Sequence, residues 1–250
     1  MHDTRTVELP VFVLINIVRR ENLGEPPTVL AGGEQYVPAR FEAQARRILD
    51  AELARAGVRS DSHFRPLLEL ITKAQVEYYG WIDSQDGSLA VLAAARGRAA
   101  VLVVRRGDTV VLGPTDANRL PQTVAAQLSD VPAARGPSLS VRAVDFSPAR
   151  PAGGVLRQAT AARPHQARLL DELLRQPRLG GARLYAATRD HTGTRQRSAD
   201  SLTVLDVAQQ GRWLVYFTAK TGDRAINVVP GPPATVAAKL ADLLPRPGRR

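Results

Sequence analysis

Few residues in this chain have the types and spacing that chemistry needs. The four histidines, His2, His63, His165 and His191, are scattered over 250 residues, and cysteine is absent. No two histidines share an element at metal-ligand spacing. Without cysteine there are no disulfides, no thiolate metal sites and no thiol nucleophile. The patterns G-x-S-x-G, H-E-x-x-H, G-x-G-x-x-G and G-x-x-x-x-G-K-[ST] do not occur. Asp190-His191 falls at a turn, where solvent leaves little to tune a pKa. His63 sits beside a helix start and reads as a surface or capping residue. Arg106-Gly107-Asp108 reads as a hairpin tip. The carboxylates lie among arginines and form no isolated acid–base pair. We therefore expect no catalytic residue, no cofactor and no metal, and a binding module rather than an enzyme.

The formal charge of +10 raises nucleic acid as a partner. Only Lys73, Lys220 and Lys239 are lysine, so arginine supplies nearly all of the 34 basic residues. Arginine and alanine are both abundant throughout, as a GC-rich genome would produce. The arginines are spread out, and a solvated basic face explains them better than a nucleic-acid groove. A basic nucleic-acid-binding protein is kept as the alternative. No apolar run approaches the roughly 20 residues of a membrane span, and the expected location is cytoplasmic.

The elements that must carry any site are legible from periodicity. Residues 179–229 contain four apolar-patterned runs, 182–189, 201–207, 213–219 and 225–229. Polar turns bearing Gly193, Gly211 and Gly222 join them, which is the pattern of an antiparallel meander. Trp213-Leu214-Val215-Tyr216-Phe217 is apolar at both parities, so both faces of that strand should lie against protein. The first half has a matching series: a strand at 76–82, a turn at 83–87, then runs at 89–95, 99–105 and 109–112, with Gly97 and Gly107 in the turns. A helix is predicted over 38–56, with Phe41, Ala45, Ile48, Leu49, Leu53 and Ala56 on one stripe. Others are predicted near 62–71, around Leu120, Val124 and Leu128, over 164–176 with Leu169, Leu170, Leu173 and Leu174 inward, and over 234–244. Residues 7–20 suit a strand, or a helix from about Pro10. Pro26-Pro27 should hold Val29-Leu30 extended, and 139–144 is strand-like.

Both halves thus run helix, four-run meander, Gly/Pro break, closing helix. This is a pattern-level repeat. It predicts an α+β fold with two pseudo-symmetric lobes whose antiparallel meanders are flanked by helices and join into one central sheet. The N-terminal lobe spans 1–131, a connector with one strand 132–163, and the C-terminal lobe 164–250.

The second half resembles the EspG family, the ESX (type VII) secretion-associated proteins of actinobacteria. Gly180-Gly181-Ala182-Arg183-Leu184-Tyr185, Thr188-Arg189-Asp190 with Gly193-Thr194-Arg195-Gln196-Arg197, Leu205-Asp206-Val207, Gly211-Arg212-Trp213 and Val228-Val229-Pro230 carry the resemblance. The chain departs from the family pattern at Ala182, Thr194, Gln196 and Asp206-Val207, and Trp213 stands where a tyrosine is usual. The first half follows the family order more loosely. The resemblance implies a cytosolic chaperone that binds PPE-like or PE-PPE-like helical proteins before export, without nucleic acid. It further implies partner contacts from Asp83, Asp86, Ser88, Leu89, Val91, Leu169, Leu173, Ser201 and Thr203. An exposed edge in either meander leaves homodimer formation open.

Overall fold

The computed structural model describes residues 6–32, 40, 42–58, 64–146, 164–220 and 223–245. Strand β1 (Val7–Pro10) leads directly into helix α1 (Val11–Arg20). Both readings of that apolar run are met, with Pro10 as the divide: its φ of −61° suits a helix entry, and the N–H it lacks is one a first turn leaves unused. Val29-Leu30 lies in a single 3-10 turn, Thr28–Leu30, and not in an extended segment; only Pro27 before it is extended. Helix α2 (Glu42–Arg55) buries Leu49 and Leu53, whereas Ile48 is 46% exposed. Its apolar stripe is narrower than the spacing predicts because the helix meets α1 along one edge. Phe41, His63 and Gly222 lie outside the described residues.

Helix α3 (Phe64–Lys73) precedes the first meander, β2 (Val76–Ser84), β3 (Gly87–Arg96), β4 (Ala99–Arg106) and β5 (Thr109–Pro114). Its tight turns use Gly97 and Gly107 at left-handed φ values of 61° and 54°. A 3-10 turn capped by Asp116 leads into α4 (Leu120–Ala125), with Pro121 in its first turn. Strand β6 (Leu139–Arg142) stops two residues short of Val144, which is exposed. Helix α5 (His165–Arg175) opens the second meander: β7 (Arg178–Arg189), β9 (Leu202–Val207), β10 (Gly211–Lys220) and β11 (Asp223–Pro230). Helix α6 (Pro233–Asp242) closes it. The turn after β7 contains a further short strand, β8 (Arg195–Arg197), antiparallel to the end of β7.

One antiparallel sheet runs through both halves in the order β1-β5-β4-β3-β2-β7-β9-β10-β11-β6. That order reads the same from either end. Each half contributes a short outer strand, a four-strand meander and a closing helix, and the halves meet where β2 pairs β7 from Val76↔Thr188 to Asp83↔Gly181. The fold is α+β. Helices α4 and α6 pack together over one face, above Tyr78, Ile82, Val91, Leu184, Val204 and Leu214. On the other face α1, α2 and α3 cover the β1–β5–β4–β3 side, and α5 covers β9, β10, β11 and β6. The strip between those two helical groups is the middle of the sheet.

Candidate docking face

That middle strip is built by strand parity. Side chains directly opposite in an antiparallel pair share a face. Trp81 pairs Arg183, which pairs Thr203, so these three form one row across β2, β7 and β9. Tyr79 and Tyr185 form the next row, Glu77 and Ala187 the one beyond, and Asp83 and Gly181 the one before. The opposite parity, Tyr78, Gly80 and Ile82, faces α4 and α6.

An aromatic cluster forms the floor. Tyr79 and Tyr185 stack with centroids 5.6 Å apart, and Trp81 meets both edge-on at 6.1 and 6.2 Å. Tyr79 is buried, Tyr185 half-buried, and Trp81 39% exposed. An antiparallel sheet can leave one face to water, but a large aromatic side chain exposed there adds to a patch of the kind that a partner covers. Beside Trp81 a cleft of about 420 Å³ reaches Thr28, Val29, Ala31, Ser88 and Arg105. The Arg105 guanidinium donates to the Ala31 carbonyl at 2.6 Å and to the Gly107 carbonyl at 2.8 Å, which ties the 28–31 turn to the sheet.

Arginines from β8 complete the strip. Arg195 lies 5.0 Å over the Tyr79 ring and Arg197 5.1 Å over that of Tyr185. Glu77, 3% exposed, accepts from Arg195 Nε at 2.9 Å, is ion-paired with Arg195 Nη2 at 2.8 Å and is 3.6 Å from Arg189. Burial works against the Arg195 charge, but the hydrogen bond and charge of Glu77 outweigh it and hold its pKa above the ordinary value. The buried carboxylate thus fixes Arg195 over the aromatic floor and helps hold β8 beside β7.

The face supplies apolar and cationic contact but no paired acid and base. Among the described residues, no group of three or more His, Asp and Glu could hold a metal ion. A second cleft, about 430 Å³, lies on the α4/α6 side beside Gln75, Tyr78, Asn118 and Gln122. Burial raises the pKa of the Tyr78 phenol there. Among the described residues, no helix is long and apolar enough to cross a membrane.

The residues singled out in the sequence fall in three places. Asp83, Ser88 and Thr203 lie on the strip; Ser88 Oγ donates to Asp83 Oδ1 at 2.5 Å. Asp86 sits in the exposed two-residue turn at its rim, where its N–H donates to Ser84 Oγ, and Ser201 lies half-buried just before β9. Leu89 and Val91 point to the other face, inside the α4/α6 core. Leu173 is buried on the inner face of α5, with Leu169 of the same helix partly buried. Trp81, Arg183, Tyr185 and Arg197 were missed by sequence reasoning. The available signal was parity: Trp81 stands two residues beyond Tyr79 on the face that Glu77 also occupies.

These features define a class, an antiparallel pseudo-twofold platform with an aromatic, arginine-lined strip exposed between two helical groups. The EspG family model matches residues 14–242, and the chain belongs to the EspG family. The fold is similar to that of the Mycobacterium tuberculosis type VII secretion system chaperone EspG5, solved in complex with a PE25-PPE41 dimer. The TM-score is 0.67 at 14% identity, covering 96% of this chain and 97% of that one. No curated protein matches the sequence.

Proposed function

We propose that this protein is a cytoplasmic type VII secretion chaperone that binds a PPE-like or PE-PPE-like helical substrate before export. It acts by binding and not by catalysis. The observation that carries this reading is the exposed aromatic strip of Trp81 and Tyr185 at the centre of an EspG-family sheet. An apolar helical tip lying across β2 and β7 would remove that strip from water, and with it the tip's own tendency to aggregate. Asp83, Ser88 and Thr203 contact the tip, with Asp86 and Ser201 at the rim. Leu89, Val91 and Leu173 hold the sheet rigid beneath it, and Leu169 supports it from α5.

The test is co-expression with the helical secretion substrates encoded nearest the gene, followed by sizing at low and high salt. A one-to-one complex that survives high salt is expected. The +10 charge favours one other reading, a nucleic-acid-binding protein. In that case the substrate does not co-elute, nucleic acid does, and its binding falls steeply with salt as counterions are released.

A further inference from the structure

The cleft on the α4/α6 side of the sheet lies away from the strip. It is bounded by the start of β2, the end of β3, the 3-10 turn before α4 and the end of α6. Small residues, Ala95, Gly97, Ala117 and Ala241, leave the room for it. Its volume of about 430 Å³ is within the roughly 300–1,000 Å³ of small-molecule sites. The function proposed above uses none of its residues.

Its polar groups have bonding capacity to spare. Tyr78 lines it from the sheet and is only 5% exposed, yet its hydroxyl bonds nothing among the described residues. A polar group so deeply placed normally has a partner. Burial raises the pKa of this phenol, so it is neutral and can both donate and accept. Gln75 Oε1 accepts from the Gly97 N–H at 3.2 Å, which fixes that carboxamide at the rim and leaves its amino group to donate. The carboxamides of Asn118, on the 3-10 turn, and Gln122, on α4, make no bond among the described residues.

The cleft is also without charge. None of the residues lining it is acidic or basic, although the chain has 34 basic and 24 acidic residues. A charged ligand would lose hydration there and meet no counter-charge. An uncharged ligand escapes that cost. Each carboxamide sets an N–H donor beside an oxygen acceptor, a pattern that complements another amide or the edge of a nucleobase. Val76, Leu120 and Pro121 supply apolar contact for a flat ring.

We infer that this cleft is a ligand site for a small, uncharged, planar molecule with an amide-like edge, a carboxamide or a nucleobase. Gln75, Asn118 and Gln122 hold its outer edge, and the Tyr78 hydroxyl bonds its inner end. The site does not depend on the proposed docking face, which lies on the opposite side of the sheet.

The test is a titration of the isotope-labelled full chain with nicotinamide and with adenine, and with nicotinate as the charged control. The side-chain amide signals of Gln75, Asn118 and Gln122 and the backbone amide of Gly97 are followed by NMR. Saturable shifts with nicotinamide, adenine or both are expected, and none with nicotinate. Saturation by nicotinamide alone assigns the site to carboxamides, and by adenine alone to bases. Tyr78→Phe should weaken binding about tenfold and Gln122→Ala severalfold. Tyr78→Phe should also keep the wild-type melting temperature, because the lost hydroxyl bonded no protein group. Shifts that fail to saturate with both probes, that are the same with nicotinate, or that keep full affinity in Tyr78→Phe overturn the assignment. A clear fall in the Tyr78→Phe melting temperature overturns it too, by showing that the hydroxyl already has a partner.

Discussion

Tyr79 and Tyr185 lie directly opposite each other at the seam between the two halves of the sheet, their rings stacked at 5.6 Å with planes 21° apart. The seam is thus both the pseudo-symmetry element of the fold and the floor of the proposed docking face. Tyr79, 4% exposed, should cost about 3–5 kcal/mol of stability when truncated to Ala. Tyr185, half-buried, should cost less stability but more binding. Urea unfolding of the two single variants and the double variant should give a coupling of about 0.5–1.5 kcal/mol. A coupling of zero would mean that the stack contributes only its separate burials.

A glycine sets how closely the same two strands approach. A Cβ at Gly80 would collide with the Arg183 carbonyl oxygen and stand 2.8 Å from Leu184 Cδ2. The carbonyl is backbone of the central strand pair and cannot withdraw, and the Leu184 side chain, fully buried, has little room to turn aside. Gly80→Ala should destabilise by about 1–3 kcal/mol or more and shift the protein toward the insoluble fraction. Gly87→Ala at the exposed β2–β3 turn meets no neighbouring atom and is strained only through its φ of 111°. The ordering of the two melting temperatures, Gly80→Ala well below Gly87→Ala, is the check.

Much of the architecture was legible because its signals are local. The Gly-bearing turns and alternating runs mark both meanders, and their repetition predicts the symmetric sheet that β2 and β7 join. What escaped depends on distant partners. Ile48 has the right spacing for a core stripe, but α2 touches the body along one edge and leaves it exposed. Strand β8 is three polar residues, Arg-Gln-Arg, and is extended only because β7 overshoots β9 and offers a free edge. The proposed docking face was half legible. Asp83, Ser88 and Thr203, which the resemblance singles out, share a sheet face with Trp81, whereas Trp81 and Tyr185 look like ordinary core residues until the helices are seen to part above them.

The Asp206 and Gly211-Arg212 motif now has a structural explanation. Asp206 and Arg212 are opposite each other in the β9–β10 hairpin, bonded twice at 2.7 and 2.9 Å, with side chains 5% and 3% exposed. Arg212 Nη2 also donates to the Ser129 carbonyl at 2.7 Å, which ties the segment after α4 to the second meander. Removing one partner leaves a buried charge unanswered, so Asp206→Ala should cost about 3–5 kcal/mol. Replacing both, as in Asp206→Leu with Arg212→Met, should cost less than Asp206→Ala alone, although the Ser129 carbonyl then loses its donor. Chemical unfolding of wild type, Asp206→Ala and the double variant tests this, and a double variant less stable than Asp206→Ala would contradict it.

The β7–β8 turn should respond to acid. Asp190 Oδ1 accepts from the Thr192 hydroxyl at 2.6 Å and from the Thr192 and Thr194 amides at 2.9 Å. The Thr192 hydroxyl and the Thr194 amide, foremost, hold its carboxyl below the usual carboxylate range. A depressed folded-state pKa means that the turn is supported above the unfolded value, about 3.9, and loses that support as pH falls through the folded one. The amide resonances of Thr192 and Thr194 should therefore titrate together at acid pH, below where a free aspartate would. The global melt should barely move, because the group is fully exposed and the effect is confined to the turn. Asp190→Asn should keep the turn and abolish the titration, since an amide oxygen still accepts but carries no charge to lose. Asp190→Ala should loosen the turn at every pH. If the two amides stayed flat in the wild type down to full protonation, the carboxylate would not be what orders the turn, and the backbone bonds from Asp190 N–H to Thr194 and from Gly193 N–H to Asp190 would suffice.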